Sequence, residues 1–184
     1  MPDLTGRVAL VTGSTKGIGL AIARELADAD AHVVVTARTG EDVERAVREL
    51  EVRGEGEAYG VTCDVRDLED CQDLVGQSVD RFGRLDILVN NAGIGRFAPI
   101  QEMSPEDWNL QIETNLTGVF NCSQAAIPHL KASGDGWIVN IGSLAGRNPF
   151  AGRAAYNATK FGLLGMTEAM MLDLRYEGVR VSLI

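Results

Sequence analysis

Apolar and polar positions fall into blocks along the chain, and the blocks alternate between two periods. Arg7 to Thr12, His32 to Ala37, Glu57 to Cys63, Leu85 to Val89, Trp137 to Ile141 and Val179 to Ile184 read as strands. Stretches such as His-Val-Val-Val-Thr-Ala are continuously apolar, which suits parallel strands covered on both faces. Helical spacing fills the intervals. Gly17 to about Ala29 carries Ile18, Ile22 and Leu26 four apart, and Glu41 to about Arg53 carries Val43, Val47 and Leu50 on one face. A helix from Asp67 turns Leu68, Cys71, Val75 and Val79 inward. A longer one runs from Ser104 towards Leu130 with Trp108, Ile112, Leu116 and Phe120 on one stripe, and another spans Ala154 to about Tyr176. Ser104-Pro105-Glu106-Asp107 is a strong helix start, while Gly54, Gly56 and Gly178 mark helix ends. Strands alternating with helices imply right-handed crossovers and an α/β fold built on a doubly wound parallel sheet.

The 184 residues suit one domain spanning 1–184, with no repeat, linker or low-complexity segment. A net charge of −9 argues against a nucleic-acid surface. No run is long enough for a membrane helix, and the N-terminus lacks the basic and apolar segments of a secretory signal, so a cytoplasmic location is expected. Three cysteines without a Cys-x-x-Cys pair, and two histidines, predict neither a metal site nor a disulfide framework. Asn-x-Ser/Thr sequons at Asn115, Asn121 and Asn157 read as chance matches or as residues with another task.

Candidate chemistry collects at the carboxyl ends of the strands, where ligands sit in such sheets. After the first strand comes Gly13-Ser14-Thr15-Lys16-Gly17-Ile18-Gly19. A strand, a glycine turn and a helix start bring backbone N–H groups and a positive helix end to one point, which suits a phosphate. The same stretch also reads as a connection that merely needs positive φ angles, since its spacing is not Gly-x-Gly-x-x-Gly. Arg38 follows the second strand, Asp64-Val65 the third, Asn90-Asn91-Ala92-Gly93 the fourth and Ser143 the fifth. Tyr156 and Lys160 are four apart and share a helix face. An ammonium beside a phenol favours the phenolate and makes a usable proton donor, with Ser143 free to donate to a substrate carbonyl. An ordinary exposed helical pair is the other reading of those two residues.

Together, Thr12-Gly13-x-x-x-Gly17-Ile18-Gly19, Asn90-Asn91-Ala92-Gly93, Asn115, Ser143 and Tyr156-x-x-x-Lys160 resemble the motifs of the short-chain dehydrogenase/reductases, in order and rough spacing from residue 7 to 184. The resemblance implies a Rossmann-type, three-layer fold and hydride transfer between a nicotinamide and a carbonyl or alcohol. It implies Tyr156 as general acid in reduction, Lys160 on the nicotinamide ribose, Ser143 orienting the carbonyl, and Asn115 holding a water that links the lysine to bulk. Gly13, Ser14, Gly17, Ile18 and Gly19 would surround the pyrophosphate and adenosine ribose, Asp64 and Val65 the adenine, and Asn91, Ala92 and Gly93 the path to the nicotinamide ribose. Asn90 is instead open to a role tying strands together.

NADP(H) is the expected cofactor. An acid after the second strand would bind the ribose hydroxyls of NAD and repel a 2′-phosphate, but the chain reads Thr36-Ala37-Arg38-Thr39 there. Arg38 offers a fork for the phosphate, and Lys16 adds a second charge. The subgroup nearest in look is the 3-oxoacyl-[acyl-carrier-protein] reductases of fatty acid biosynthesis, with sugar, steroid or other secondary-alcohol dehydrogenases as alternatives. The resemblance further implies a homodimer or homotetramer through the two long helices, where Met166, Met170 and Met171 sit. Family members run on by several tens of residues, so a C-terminally incomplete Rossmann domain is expected. A serine hydrolase is disfavoured because Ile141-Gly142-Ser143-Leu144-Ala145 lacks the glycines of a nucleophile elbow. A cofactor binder without catalysis is disfavoured because all four motif residues of the site are present.

Overall fold

A computed structural model describes residues 3–184. It contains β1 (Val8–Thr12), α1 (Gly17–Asp28), β2 (His32–Ala37), α2 (Gly40–Leu50), β3 (Ala58–Thr62), α3 (Leu68–Phe82), β4 (Ile87–Asn90), α4 (Pro105–Ile112), α5 (Gly118–Ala132), β5 (Gly136–Asn140), α6 (Ala154–Leu174) and β6 (Val179–Leu183). The six strands form one sheet in the order β3-β2-β1-β4-β5-β6, and every pairing is parallel. Strand order reverses between β1 and β4, so their carboxyl ends open the crevice in which such sheets bind ligands.

The period of two divides β2 between the faces. Val33 and Val35 pack with Ala23, Ala27, Val43 and Leu50 of α1 and α2. Val34 turns the other way, into a core with Leu10, Leu74, Leu88, Leu130, Ile138 and Leu174 that reaches α3, α5 and α6. Those two helix layers and the sheet make the three layers. At the end of the sheet away from the crevice, buried Asp86 accepts from Arg7, Arg84 and the Val8 amide, and so fastens β1 to the approach to β4.

Helix ends follow the sequence chemistry. Asp67 caps α3 by accepting from the Glu69 and Asp70 amides, and Gly83 closes it with φ +77°. Ser104 caps α4 through the Asp107 amide at 3.0 Å.

On α1, Ile18 is 64% exposed, Leu26 packs partly against the core, and the buried positions are Gly19, Ala23 and Ala27. Small residues let the helix lie close to the strands, and the larger side chains move to the flank, where Ile18, Ile22 and Leu26 line an open apolar groove with Leu4. The single helix expected from Ser104 is corrected: it is not continuous. A π-helical turn over Glu113–Thr117 separates α4 from α5. The wider turn shifts the register, so Gln111, Asn115, Val119, Cys122 and Ala126 face inward while Phe120 is 48% exposed.

Candidate active site

The glycine turn after β1 has the strained geometry that only glycine adopts freely, with φ +62° at Gly13 and +57° at Gly17. A Cβ on Gly13 would fall 2.9 Å from the Cα of Ala92, so the chain leaving β4 lies directly against the turn. Asn91 holds that approach: its side-chain amide donates to the Thr12 and Gly13 carbonyls at 2.8 and 3.0 Å. Thr12 Oγ1 accepts from both the Asn91 and the Ala92 amide at 3.0 Å. Ser14 is fully buried. Its hydroxyl donates to the Val11 carbonyl and accepts from the Thr36 amide, so the side chain braces β1 against β2 and is not free for a ligand.

A cleft of about 700 Å³ runs from this turn across the carboxyl ends of the strands. Gly13, Lys16, Ile18, Gly19, Arg38, Asp64, Val65, Asn91, Ala92, Gly93, Tyr156 and Lys160 all line it. Of the remaining expected residues, Gly17 shapes the turn, while Ser14, Asn115 and Ser143 lie outside the lining. At one end, Lys16 and Arg38 form no ion pair or side-chain hydrogen bond among the described residues, and Thr36 Oγ1 is buried without a partner. Bare glycine backbone, two free cations and an orphaned hydroxyl fit a phosphorylated nucleoside.

At the other end, α6 presents Tyr156 and Lys160 on one face. Lys160 is only 8% exposed, and its ammonium donates to the Ile141 carbonyl at 2.7 Å and lies 5.8 Å from the centre of the Tyr156 ring. Burial lowers its pKa from 10.5 to about 8. Phe97 meets Tyr156 edge-on, with ring centres 5.7 Å apart, and the Arg153 guanidinium covers the Phe97 ring at 4.5 Å.

Ser143 follows β5, is exposed, and caps a 3-10 turn over Leu144–Gly146 by accepting from the Ala145 amide at 3.1 Å. Its hydroxyl proton remains available. That turn is pressed onto α6, since a Cβ on Gly146 would come within 2.8 Å of the Lys160 carbonyl. Asn157 locks the following loop: its amide donates to the Ala145 and Asn148 carbonyls and accepts from the Phe150 amide.

Asn115 lies in the π-helical turn, where its side chain accepts from the Ile94 amide and donates to the Ile94 carbonyl, both at 2.8 Å, and donates to Thr159 Oγ1 at 3.2 Å. Gln111, one turn earlier, accepts from the Arg96 amide at 3.0 Å and is fully buried. The pair fixes the 94–96 loop beside the tyrosine. Sequence reasoning missed Gln111; a polar residue at an inward helical position is its only signal. Asn90 bonds Ser123 and Asn140, the strand-tying role left open for it.

A family model described as short chain dehydrogenase matches residues 7–184. A 3-oxoacyl-[acyl-carrier-protein] reductase of Synechocystis sp. is 40% identical over 185 residues, covering 100% of this chain and 74% of the relative. Among solved structures, a metagenomic short-chain oxidoreductase in complex with NADP superposes with a TM-score of 0.92 at 42% identity, over 98% of this chain and 81% of the other. An NAD+-bound xylitol dehydrogenase gives a TM-score of 0.94 at 34% identity, over 98% and 69%. The six-stranded parallel sheet, the glycine turn and the matched length agree: this chain belongs to the short-chain dehydrogenase/reductase family, oxidoreductases that act on CH–OH and C=O groups.

Proposed function

We propose that this protein is an NADP(H)-dependent reductase that converts a ketone, of the 3-oxoacyl thioester kind used in fatty acid biosynthesis, to a secondary alcohol. The observation that carries the reading is the joint lining of one cleft by the Tyr156–Lys160 pair and the glycine turn, with Arg38 at the far end. A bound nicotinamide would supply or take up the hydride. Tyr156 gives its phenolic proton to the carbonyl oxygen and takes it back in the reverse direction. Lys160 holds positive charge beside that phenol and would bond the nicotinamide ribose. Ser143 donates to the substrate carbonyl and fixes its orientation. Asn115 secures the Ile94 loop, and the relay water assigned to it by resemblance would meet its main chain, because its side-chain amide is engaged.

Arg38 and Lys16 favour NADP(H) over NAD(H), consistent with the NADP-bound relative at 42% identity. Gly13, Gly17, Ile18 and Gly19 would cradle the pyrophosphate and adenosine ribose; Asp64 and Val65 would border the adenine; Asn91, Ala92 and Gly93 would guide the chain of the cofactor to Tyr156.

Phe120 on α5 and Phe161, Met171 and Leu172 on α6 are 44–64% exposed, an apolar face suited to a homodimer or homotetramer. Among the described residues no helix is long and apolar enough to cross a membrane, in keeping with a cytoplasmic enzyme. The test is NADPH oxidation with acetoacetyl thioesters, small diketones, a ketose and a steroid ketone. Turnover with the thioester as the best substrate supports the reading. Turnover only with the ketose moves it to sugar reduction, and none with any of them refutes it.

A further inference from the structure

Two carboxylates, Asp42 and Asp64, line the same cleft as Arg38. A free carboxylate beside that guanidinium would compete for it and repel a phosphate dianion. Neither is free. Asp42 accepts from Arg45 at 2.6 Å. Asp64 is gripped by Arg66, whose Nε lies 2.9 and 3.0 Å from its two carboxylate oxygens and whose terminal nitrogen lies 2.5 Å from one of them. The Arg66 amide donates to the same carboxylate at 3.1 Å. Arg38, by contrast, has no carboxylate or hydrogen-bond partner among the described residues.

The grip is built on a fixed backbone. Buried Asn121 donates to the Val65 and Arg66 carbonyls at 3.0 and 3.1 Å, and Asp70 accepts from the Asp64 amide at 3.0 Å. Glu113 approaches Arg66 at 3.9 Å from the π-helical turn and is the other acid facing it. The Asp64 carboxyl is held below its usual range, chiefly by the Arg66 hydrogen bonds, and Arg38 contributes to that field. Arg38 and Asp64 line one cleft, yet the carboxylate's bonds go to Arg66.

Resting on the NADP(H) reading above, we infer that Arg66 is a positioning residue for cofactor choice: by occupying Asp64 it leaves Arg38 available to the 2′-phosphate. Arg66 itself touches no phosphate in this account. Its removal would turn Asp64 from a neutralised neighbour into a competitor for Arg38.

The test is calorimetric binding of NADPH and of NADH to the wild type, Arg66→Ala, Asp64→Asn and the double variant. Both cofactors share the adenine, so the ratio of their affinities isolates the phosphate end. Arg66→Ala is expected to weaken NADPH about tenfold with NADH changed less than about twofold, the scale of one charge-assisted contact. Adding Asp64→Asn is expected to restore most of the lost NADPH affinity, because no carboxylate then competes. Equal weakening of both cofactors by Arg66→Ala, or no recovery in the double variant, overturns the inference. A wild type that binds NADH as tightly as NADPH overturns the cofactor reading itself, which is a different result.

Discussion

The Lys160 ammonium donates to the Ile141 carbonyl at 2.7 Å, and that one bond joins α6 to the end of β5. It also aims a buried cation at the tyrosine one turn before it. Among the described residues no carboxylate pairs with it, and burial is the cause of its lowered pKa. The fold therefore carries a cost at neutral pH to keep an amine in the cleft, a usual mark of a site shaped by function.

That cost has a sign in pH. The folded protein gives up the Lys160 proton near pH 8, the unfolded chain near 10.5. Between those values the unfolded state binds more protons, so stability rises with pH across the window, by roughly 3 kcal/mol at most. Lys160→Met lacks this rise. Urea unfolding of both proteins at pH 7.5 and 10.5 is expected to show the wild type gaining on the variant as pH increases. A gap independent of pH would mean the lysine is not buried as a cation.

Cofactor choice is expected to rest on Arg38. Arg38→Ala should raise the Kd for NADPH by about 10- to 100-fold, the worth of a charge-assisted contact to a dianion, and leave NADH nearly unchanged. Fluorescence titration of the two cofactors measures it. A variant that keeps its preference for NADPH would place the discrimination elsewhere.

Asp86 ties the two central strands together at the end of the sheet away from the cleft. Burial alone would raise its pKa, but hydrogen bonds from Arg84, the Val8 amide and Arg7 outweigh burial and hold it below 3.8. Its contribution is present above the unfolded value and is lost as pH falls through the folded one. Asp86→Asn should cost about 2–4 kcal/mol at pH 7, and less at pH 3, because two arginines lose their shared acceptor. Chemical denaturation at both pH values reads the difference, with turnover per folded molecule expected to be unchanged.

The fold was legible because its strands are continuous apolar blocks bounded by glycine and caps, and alternation with helices leaves few ways to wind a sheet. Helix faces were less legible. Ile18, Ile22 and Leu26 have the spacing of a core stripe, yet Gly19, Ala23 and Ala27 take the core because the helix must approach the strands closely. The π-helical turn at Glu113–Thr117 has no signature in hydrophobic spacing, so the stripe ending at Phe120 was misplaced by the extra residue in that turn.

Candidate site residues are legible where a motif marks them. Those outside any motif are not. Gln111 and Arg66 look like ordinary polar positions until the chain is folded. The three sequon asparagines, Asn115, Asn121 and Asn157, are buried ties that hold the loops at residues 94, 65 and 145–150.

The central claim is that the Tyr156 phenol is the proton donor to a ketone in the cleft that also holds NADPH. Its most direct test is the rate of NADPH oxidation with acetoacetyl thioester by the wild type and by Tyr156→Phe, with NADPH affinity measured on both. Loss of the donor is expected to lower kcat by about 10²- to 10⁴-fold while the NADPH Kd stays within about threefold. A Tyr156→Phe enzyme that still turns over within a few-fold of the wild type would contradict the account.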